Sequence, residues 1–227
     1  MERENYFSIF ELYFLLDAFQ GKLLMGLPSK EELTISSESI WTDAKEALED
    51  KQLVDEDGRL TEAGFVVTEV LREYCMGHSL TIINNFYIMY SKETNSSVVI
   101  VDTLQGYQLL KLTPLSLLVF LQEKLPLMLR EPSDGEASFL KQELVLTEQL
   151  EGALSQEDVV VIQHYPLKSM TESKHQKELL SQLLVTDYEG RLLGYDVQKD
   201  ELFQYSQYYF LERLYTWLAI PFREEDF

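Results

Sequence analysis

The predicted fold of the first third of the chain depends on residues 53–64, which read Leu-Val-Asp-Glu-Asp-Gly-Arg-Leu-Thr-Glu-Ala-Gly. Asp57-Gly58 is typical of the two-residue turn of a β-hairpin, here between short strands at Leu53-Val54 and Arg59-Leu60. Thr61 follows the second strand and is suited to be the N-cap of a helix. The stretch therefore predicts a hairpin that runs directly into a helix.

Three helices are predicted before this hairpin. Apolar residues recur at helical spacing over residues 9–19, and Ser29 with Glu32 fits a capping box at the start of a short helix. A further helix is predicted over residues 38–52. Helix, short helix, helix, hairpin, helix is the order of a winged helix-turn-helix, so we predict that residues 1–76 are winged-helix-like.

The charge of this region argues against the usual role of a winged helix. The chain has 227 residues and a formal net charge of −20, from 39 acidic and 19 basic side chains. Ten acidic residues but only three basic ones lie between Glu31 and Leu60. They would face a DNA backbone that carries one negative charge per about 1.7 Å. We expect no nucleic-acid partner and interpret the region as a scaffold for packing or protein contact, with a winged-helix transcription regulator as the alternative.

Composition and segment lengths define the broad class. Hydrophobic residues make up 45% of the chain, which argues against disorder. Cys75 is a lone cysteine, so no intrachain disulfide is possible and a reducing compartment is favoured. The N-terminus does not have the pattern of a signal peptide, and the longest apolar run, residues 114–129, contains Glu123 and Lys124. We expect a cytoplasmic protein that is not integrated in a membrane.

Strands are predicted to dominate after residue 76. The stretch Ser79–Tyr90 is apolar at alternating positions on both faces, so it is either covered on both faces or leaves one face for a partner. With strands at 98–103 and 107–112 it forms a predicted three-stranded antiparallel meander. A helical pair is predicted next, over residues 114–129 and 138–154.

The final third is predicted to contain a second part of the sheet. Residues 159–165 form a buried strand, and Glu189-Gly190 is a hairpin turn between strands at 179–188 and 191–198. The last helix, residues 205–218, is rich in aromatic side chains, which are more typical of a core face than of a binding site. The predicted sub-parts are thus residues 1–76, 77–154 and 155–227.

Motifs for catalysis or cofactor binding are not found in the sequence. Neither a glycine-rich phosphate loop nor a nucleophile elbow occurs. Cys75 and His78 form half of a zinc pattern without a second half, and Asp55 to Gly58 starts a calcium loop that the following residues do not continue. We therefore predict no catalytic residues, no cofactor and no metal, and no enzyme activity.

The order of the elements, together with Leu53-Val54-Asp55-Glu56-Asp57-Gly58-Arg59 and Asp187-Tyr188-Glu189-Gly190-Arg191, resembles the EspG-type cytosolic chaperones of type VII (ESX) secretion systems. It is more similar still to the EsaE-like proteins of Firmicutes, which are encoded beside secreted toxins. The resemblance implies a single α+β domain over residues 1–227, with a central antiparallel sheet flanked by two helical parts.

The resemblance also implies a function. Such chaperones are not enzymes: they bind a helical secretion substrate or toxin, keep it export-competent and deliver it to the secretion machinery. Strand residues with adaptable apolar side chains are suited to bind such a client, and we select Tyr87, Met89, Tyr188 and Tyr195. The alternative, that each of the four is a core residue, stays open. The client and the oligomeric state do not follow from the sequence.

Overall fold

The computed structural model describes residues 6–33, 38–133, 135–136, 142–144, 152, 155, 158–167 and 181–221. It contains helices and antiparallel strands, which confirms the predicted α+β class. The chain divides into two compact units. The first comprises Met1–His78 and Asn85–Lys111, and the second comprises Ser79–Asn84 and Leu112–Phe227.

The helices that the structure describes in the first unit are α1 (Ile9–Asp17), α2 (Lys30–Leu33), α3 (Glu38–Asp50) and α4 (Glu62–Cys75). Two of these four, α2 and α4, begin at the caps that the sequence predicts. Ser29 and Glu32 exchange the two hydrogen bonds of a capping box. The Thr61 hydroxyl accepts a hydrogen bond from the backbone N–H of Gly64, as expected of an N-cap.

The predicted hairpin is present in a shorter form. It has one bridge, between Val54 and Leu60, and its turn spans Asp55 to Gly58 rather than two residues. The Gly58 N–H donates to the Asp55 carbonyl (2.8 Å), and the Asp55 side chain accepts from the backbone N–H of Arg59 (2.8 Å). The two-residue turn typical of Asp-Gly, type I′, needs positive φ at both central positions, but here Gly58 has it (77°) and Asp57 does not. The element order agrees with the prediction, and the winged-helix assignment stays a prediction.

The prediction of one continuous strand at Ser79–Tyr90 is wrong. The stretch consists of two strands, β1 (Ser79–Ile83) and β2 (Phe86–Ser91), because Asn84 adopts φ +50 and ends the extended backbone. β3 (Ser96–Thr103) and β4 (Gly106–Leu112) follow, so this region has four strands where three were predicted. In the first unit the strand order is β4-β3-β2, and β2 pairs antiparallel with β3.

The strands of the second unit pair antiparallel in the order β1-β6-β7-β8-β9-β5. The further elements of this unit are α5 (Pro114–Lys124), a 3-10 turn (Pro126–Leu129), β5 (Gln142–Leu144), β6 (Val160–Pro166), β7 (Ser181–Tyr188), β8 (Arg191–Asp196), β9 (Glu201–Tyr205) and α6 (Gln207–Leu218).

Two helix predictions in this unit need correction. The helix predicted over 114–129 ends at Lys124, because the residue before Pro126 cannot continue an α-helix without a steric clash. The helix predicted over 138–154 is wrong at Gln142–Leu144, whose backbone pairs with β9 as a strand. Most of the rest of that prediction lies outside the described residues.

Candidate partner-binding surface

Two of the four predicted binding residues, Tyr87 and Met89, lie on the face of β2 that packs against α4. The Met89 side chain is only 1% exposed. A Cβ atom built on Gly77 would lie 2.2 Å from Met89 Cγ, so Met89 fills the space that the missing side chain leaves. On the opposite face of β2, Phe86 and Ile88 are also buried. The strand is therefore covered on both faces, and Met89 offers no surface to a partner.

Tyr87 is half-buried rather than enclosed. Burial raises the pKa of its hydroxyl, and the nearby carboxylate of Asp102 raises it further. Tyr74 of α4 lies close enough to influence Tyr87 electrostatically, which agrees with a position at the edge of the α4 contact. Tyr87 therefore combines some core packing with limited exposure.

Tyr188 and Tyr195 lie on the neighbouring strands β7 and β8 of the second unit. Antiparallel register pairs Leu184 with Tyr195 and Thr186 with Leu193, and side chains alternate along each strand. Tyr188 and Tyr195 therefore project from the same face. Both pack against a buried cluster of two leucines, Leu193 and Leu202.

The same register defines the remainder of this surface, which we call the tyrosine face. Its half-buried apolar members come from β1, β6, β7 and β8 and are Ile82, Val161, Tyr165, Leu184, Tyr188 and Tyr195. Between them lie the amide side chains of Gln163, Gln182 and Gln204, also half-buried. Four residues that project from the same face are buried, and Arg191, opposite Tyr188, is half-buried. The buried four are Leu80, Thr186, Leu193 and Leu202. The tyrosine face is thus broad and largely apolar, and it is accessible only at its half-buried members.

The opposite face of this sheet is closed by α6. There the Thr81 hydroxyl donates to the Trp217 carbonyl (3.3 Å) and lies 2.9 Å from His164 Nδ1. The His164 and Trp217 rings stack with centroids 5.4 Å apart, and Arg213 covers the Trp217 ring. Burial lowers the pKa of His164 to about 4. Phe210, Leu214 and other aromatic or aliphatic residues of α6 are buried, which confirms the interpretation of this helix as a core element.

Polar contacts on the tyrosine face join tyrosine hydroxyls to an amide and to a carboxylate. The Tyr165 hydroxyl donates to Gln163 Oε1 (3.3 Å). The Tyr195 hydroxyl donates to Asp200 Oδ1 (2.5 Å), and this hydrogen bond raises the pKa of Tyr195. Thr186 Oγ1 is buried and makes no hydrogen bond within the part of the chain that the structure describes. Hydroxyls and amides among apolar side chains are typical of a protein contact surface.

A buried ionic cluster fixes the hairpin that carries Tyr188. Arg130 donates to Asp187 Oδ2 and to the Gly190 carbonyl, both at 2.8 Å, and pairs with Glu136 at 2.6 Å. Glu136 also accepts from the backbone N–H of Gln207, the first residue of α6 (2.9 Å). Sequence reasoning missed this cluster, because Arg130 and Glu136 lie in a polar stretch that reads as a loop.

Gly152 approaches the tyrosine face at one end. A Cβ atom built on Gly152 would lie 2.8 Å from the Tyr188 hydroxyl. Tyr188 therefore lies close to Gly152 at its hydroxyl and packs beside the leucine cluster, which projects from the same face. Tyr195 has no such neighbour at its hydroxyl apart from Asp200 among the residues described.

Two further properties concern metals and membranes. Within the described ranges, no three His, Cys, Asp or Glu side chains are grouped so that they could hold a metal ion. None of the helices that the structure describes is long and apolar enough to cross a membrane.

The chain matches no curated protein. A family model described as a domain of unknown function, DUF5081, matches residues 1–226. Because this match spans nearly the whole sequence, the chain belongs to the DUF5081 family.

Proposed function

We propose that this protein is a non-enzymatic cytoplasmic chaperone or adaptor that binds a helical secretion substrate through the tyrosine face. The observation that carries the proposal is the asymmetry of the second-unit sheet. One face is closed by α6, whereas the other presents half-buried tyrosines and aliphatic side chains. Partly exposed apolar surface of this kind on a stable sheet is typical of interaction sites.

A helical client fits the chemistry of the tyrosine face. Helices pack onto sheets through an apolar stripe, and this face offers aliphatic side chains flanked by Tyr188 and Tyr195. Tyrosines supply large contact areas at low entropic cost and are enriched among residues that dominate binding energy. The glutamine amides hydrogen-bond either backbone or side-chain groups of the client, which suits clients of varied sequence.

The link to type VII secretion is supported by the resemblance of element order and turn motifs to EspG-type and EsaE-like chaperones. The net charge of −20 supports a carrier role, because strong like charge keeps a protein with exposed apolar surface soluble. The non-enzymatic part is supported by the sequence, in which no glycine-rich phosphate loop and no nucleophile elbow occurs.

The test is co-expression with secreted toxins and small helical proteins encoded beside the gene, followed by pulldown and size-exclusion chromatography. We expect one of them to be retained stoichiometrically, and we expect the Tyr188→Ser/Tyr195→Ser double variant to bind at least about tenfold more weakly. Tyr90→Ser is the matched control, because Tyr90 is a half-buried strand tyrosine of the first unit. Failure to retain any type VII substrate would refute the proposal.

The second candidate, a winged-helix transcription regulator, is favoured by one observation: α1, α2, α3, the Val54–Leu60 bridge and α4 follow in the order of that fold. The acidity of the region opposes it. Affinity for operator-like DNA, measured against salt concentration, separates the two candidates. A specific complex with a steep salt dependence would favour the regulator.

A further inference from the structure

Helix α4 exposes two large apolar side chains near its start. Phe65 is 58% exposed and Val66 is 60% exposed, although both belong to a helix whose other face is buried against the first unit. They follow one another on the outer side of the helix, and Glu62 lies one turn before them. An exposed apolar pair on a helix is a candidate contact site. Its surroundings must then indicate which kind of partner it binds.

The segment that precedes α4 is strongly acidic. A groove of about 690 Å³ lies between the end of α3 and the turn before α4, and five carboxylates line it: Glu49, Asp50, Asp55, Glu56 and Asp57. The nearby cations already have partners. Lys45 pairs with Glu49 and donates to the Glu56 carbonyl, and Arg59 pairs with Asp57.

Thr61 connects the groove to the apolar pair. It lines the groove, and as the N-cap of α4 its carbonyl accepts the hydrogen bond of the Phe65 N–H (2.8 Å). Phe65 is therefore one helical turn from the wall of the groove. We call Phe65, Val66, Glu62 and the five groove carboxylates the α4 docking surface.

Hydrogen bonds and close packing hold the start of α4 in place in the free protein. The Thr61 hydroxyl donates to the Gln52 carbonyl (2.7 Å), and the Thr61 N–H donates to the Leu53 carbonyl (3.0 Å). Gly64 packs directly on Leu53, with no room for a side chain. A preformed surface avoids the entropic cost of ordering on binding.

We infer that the α4 docking surface binds a basic amphipathic segment of a protein partner, with Lys or Arg side chains in the acidic groove and an apolar side chain against Phe65 and Val66. Charge decides among the occupants. A second copy of this chain would bring two acidic grooves together, and nucleic acid would bring phosphates. A neutral apolar partner would desolvate the carboxylates without compensation.

This inference goes beyond the proposed chaperone function. The α4 docking surface belongs to the first unit and shares no residue with the tyrosine face. It therefore stands whether or not a secretion substrate binds the second unit. The two surfaces also differ in chemistry, since the tyrosine face consists mainly of tyrosine, aliphatic and glutamine side chains, whereas the α4 docking surface combines an apolar pair with carboxylates.

The experiment uses the full chain and a fluorescein-labelled peptide in which Leu and Lys follow the period of an amphipathic helix. Fluorescence anisotropy gives the Kd at several salt concentrations, and a scrambled peptide of the same composition measures binding by charge alone. We expect the patterned peptide to bind at least about tenfold more tightly than the scrambled one. We also expect its affinity to fall as salt is raised.

Variants locate the contact. Phe65→Ser/Val66→Ser should weaken binding of the patterned peptide about tenfold, and Asp55→Asn/Glu56→Gln/Asp57→Asn should flatten its salt dependence. Leu115→Ser, at an exposed leucine of α5, is the matched control and should leave the Kd unchanged. Circular dichroism checks that each variant is folded, and Phe65→Lys, which adds repulsion, replaces the serine variant if it is not.

Three outcomes would overturn the inference. The first is equal affinity for patterned and scrambled peptides, which would show that net charge alone accounts for peptide binding. The second is an unchanged Kd in both the serine and the lysine variants of Phe65. The third is a dimer or a double-stranded DNA complex that depends on Phe65, since either would show that a different occupant uses the surface.

Discussion

A Cβ atom built on Gly64 would lie 1.8 Å from the carbonyl oxygen of Leu53, so α4 meets the backbone before the acidic turn with no space for a side chain. Gly64→Ala would gain up to about 1 kcal/mol of helix propensity. The clash outweighs this gain, because a backbone oxygen cannot move aside as a flexible side chain can. We expect a net destabilisation of about 2 kcal/mol or more, measured by urea unfolding.

Gly135→Ala is the matched control for this prediction, since, its chain neighbours aside, no atom of the described residues lies within 4 Å of the Cβ position at Gly135. Its effect should stay within about 0.5 kcal/mol. A Gly64→Ala protein as stable as the parent would show that α4 can shift away from Leu53 at little cost. Because Gly64 helps to hold the α4 docking surface, the same variant should also weaken binding of the patterned peptide.

Local signals in the sequence predicted local structure well. The Ser29–Glu32 capping box and the Thr61 N-cap depend on residues three positions apart, and both are present. The break between β1 and β2 was not predicted, although Asn84-Asn85 is a local turn signal and Asn84 adopts the left-handed conformation that Asn tolerates. The strand at Gln142–Leu144 was missed for a different reason: its partner β9 is some sixty residues away, as the pairing of Gln142 with Tyr205 shows.

The candidate surface could be predicted in part. The Glu189-Gly190 turn fixes the pairing of Tyr188 with Arg191, and alternation then places Tyr188 and Tyr195 on one face. Nothing local revealed that Met89 is covered, because α4 covers it from a distant part of the sequence. The acidity of the turn was evident from sequence, whereas the exposure of Phe65 and Val66 required the packing of α4.

Met89 and Tyr195 should respond differently to truncation, although both were selected as binding residues. Met89→Ala removes a buried side chain and should cost about 2–5 kcal/mol of unfolding free energy. Tyr195→Ala removes a half-buried side chain of the tyrosine face and should cost about 1 kcal/mol or less. Urea unfolding of the two variants provides the measurement. A larger loss for Tyr195 would mean that the tyrosine face is part of the core.

Glu136 should make stability depend on pH in acid. Burial alone would raise the pKa of this carboxyl, but hydrogen bonds from Arg130, Gln207 and Ser133 outweigh it and lower the pKa below its ordinary value. Because the folded-state pKa is the lower one, the stabilisation is complete above the unfolded pKa of about 4.5 and is lost as the pH falls through the folded value. Glu136→Gln should cost about 2 kcal/mol at pH 7.

The pH dependence distinguishes this role from simple packing. Urea unfolding of the parent protein should show stability decreasing below about pH 4.5, and Glu136→Gln should show a smaller decrease over the same range. Parallel pH profiles for the two proteins would contradict the assignment. The Arg130 contacts with Asp187 and Gly190 remain in the variant, so we expect the Tyr188 hairpin to keep its conformation.

The thiol of Cys75 should be unreactive in the folded protein. Burial raises the pKa of this thiol to about 12, and its sulfur contacts the Leu23 carbonyl. Since the thiolate is the reactive form, alkylation at pH 8 should be slow until the protein unfolds. Labelling with iodoacetamide with and without urea, followed by mass spectrometry, gives the measurement. Fast labelling of the native protein would show that α4 opens readily at its C-terminal end.

His164 should make the free energy of unfolding depend on pH over a second, higher pH range. Its pKa is lowered to about 4 by burial, against an unfolded value near 6.5. The unfolded chain therefore binds a proton between these values while the folded protein does not, so stability falls as the pH decreases from about 6.5 to about 4. The shift corresponds to roughly 3 kcal/mol.

Trp217 provides a direct signal for His164, because the two rings are stacked. The sequence has 2 tryptophans, so Trp41→Phe leaves Trp217 as the only source of tryptophan fluorescence. In this variant the fluorescence should stay constant down to about pH 4 and then change as His164 is protonated. His164→Phe keeps an aromatic ring against Trp217 but removes the proton site. It should therefore flatten the stability profile between about pH 4 and 6.5, whereas an unchanged slope would mean that other groups bind the proton.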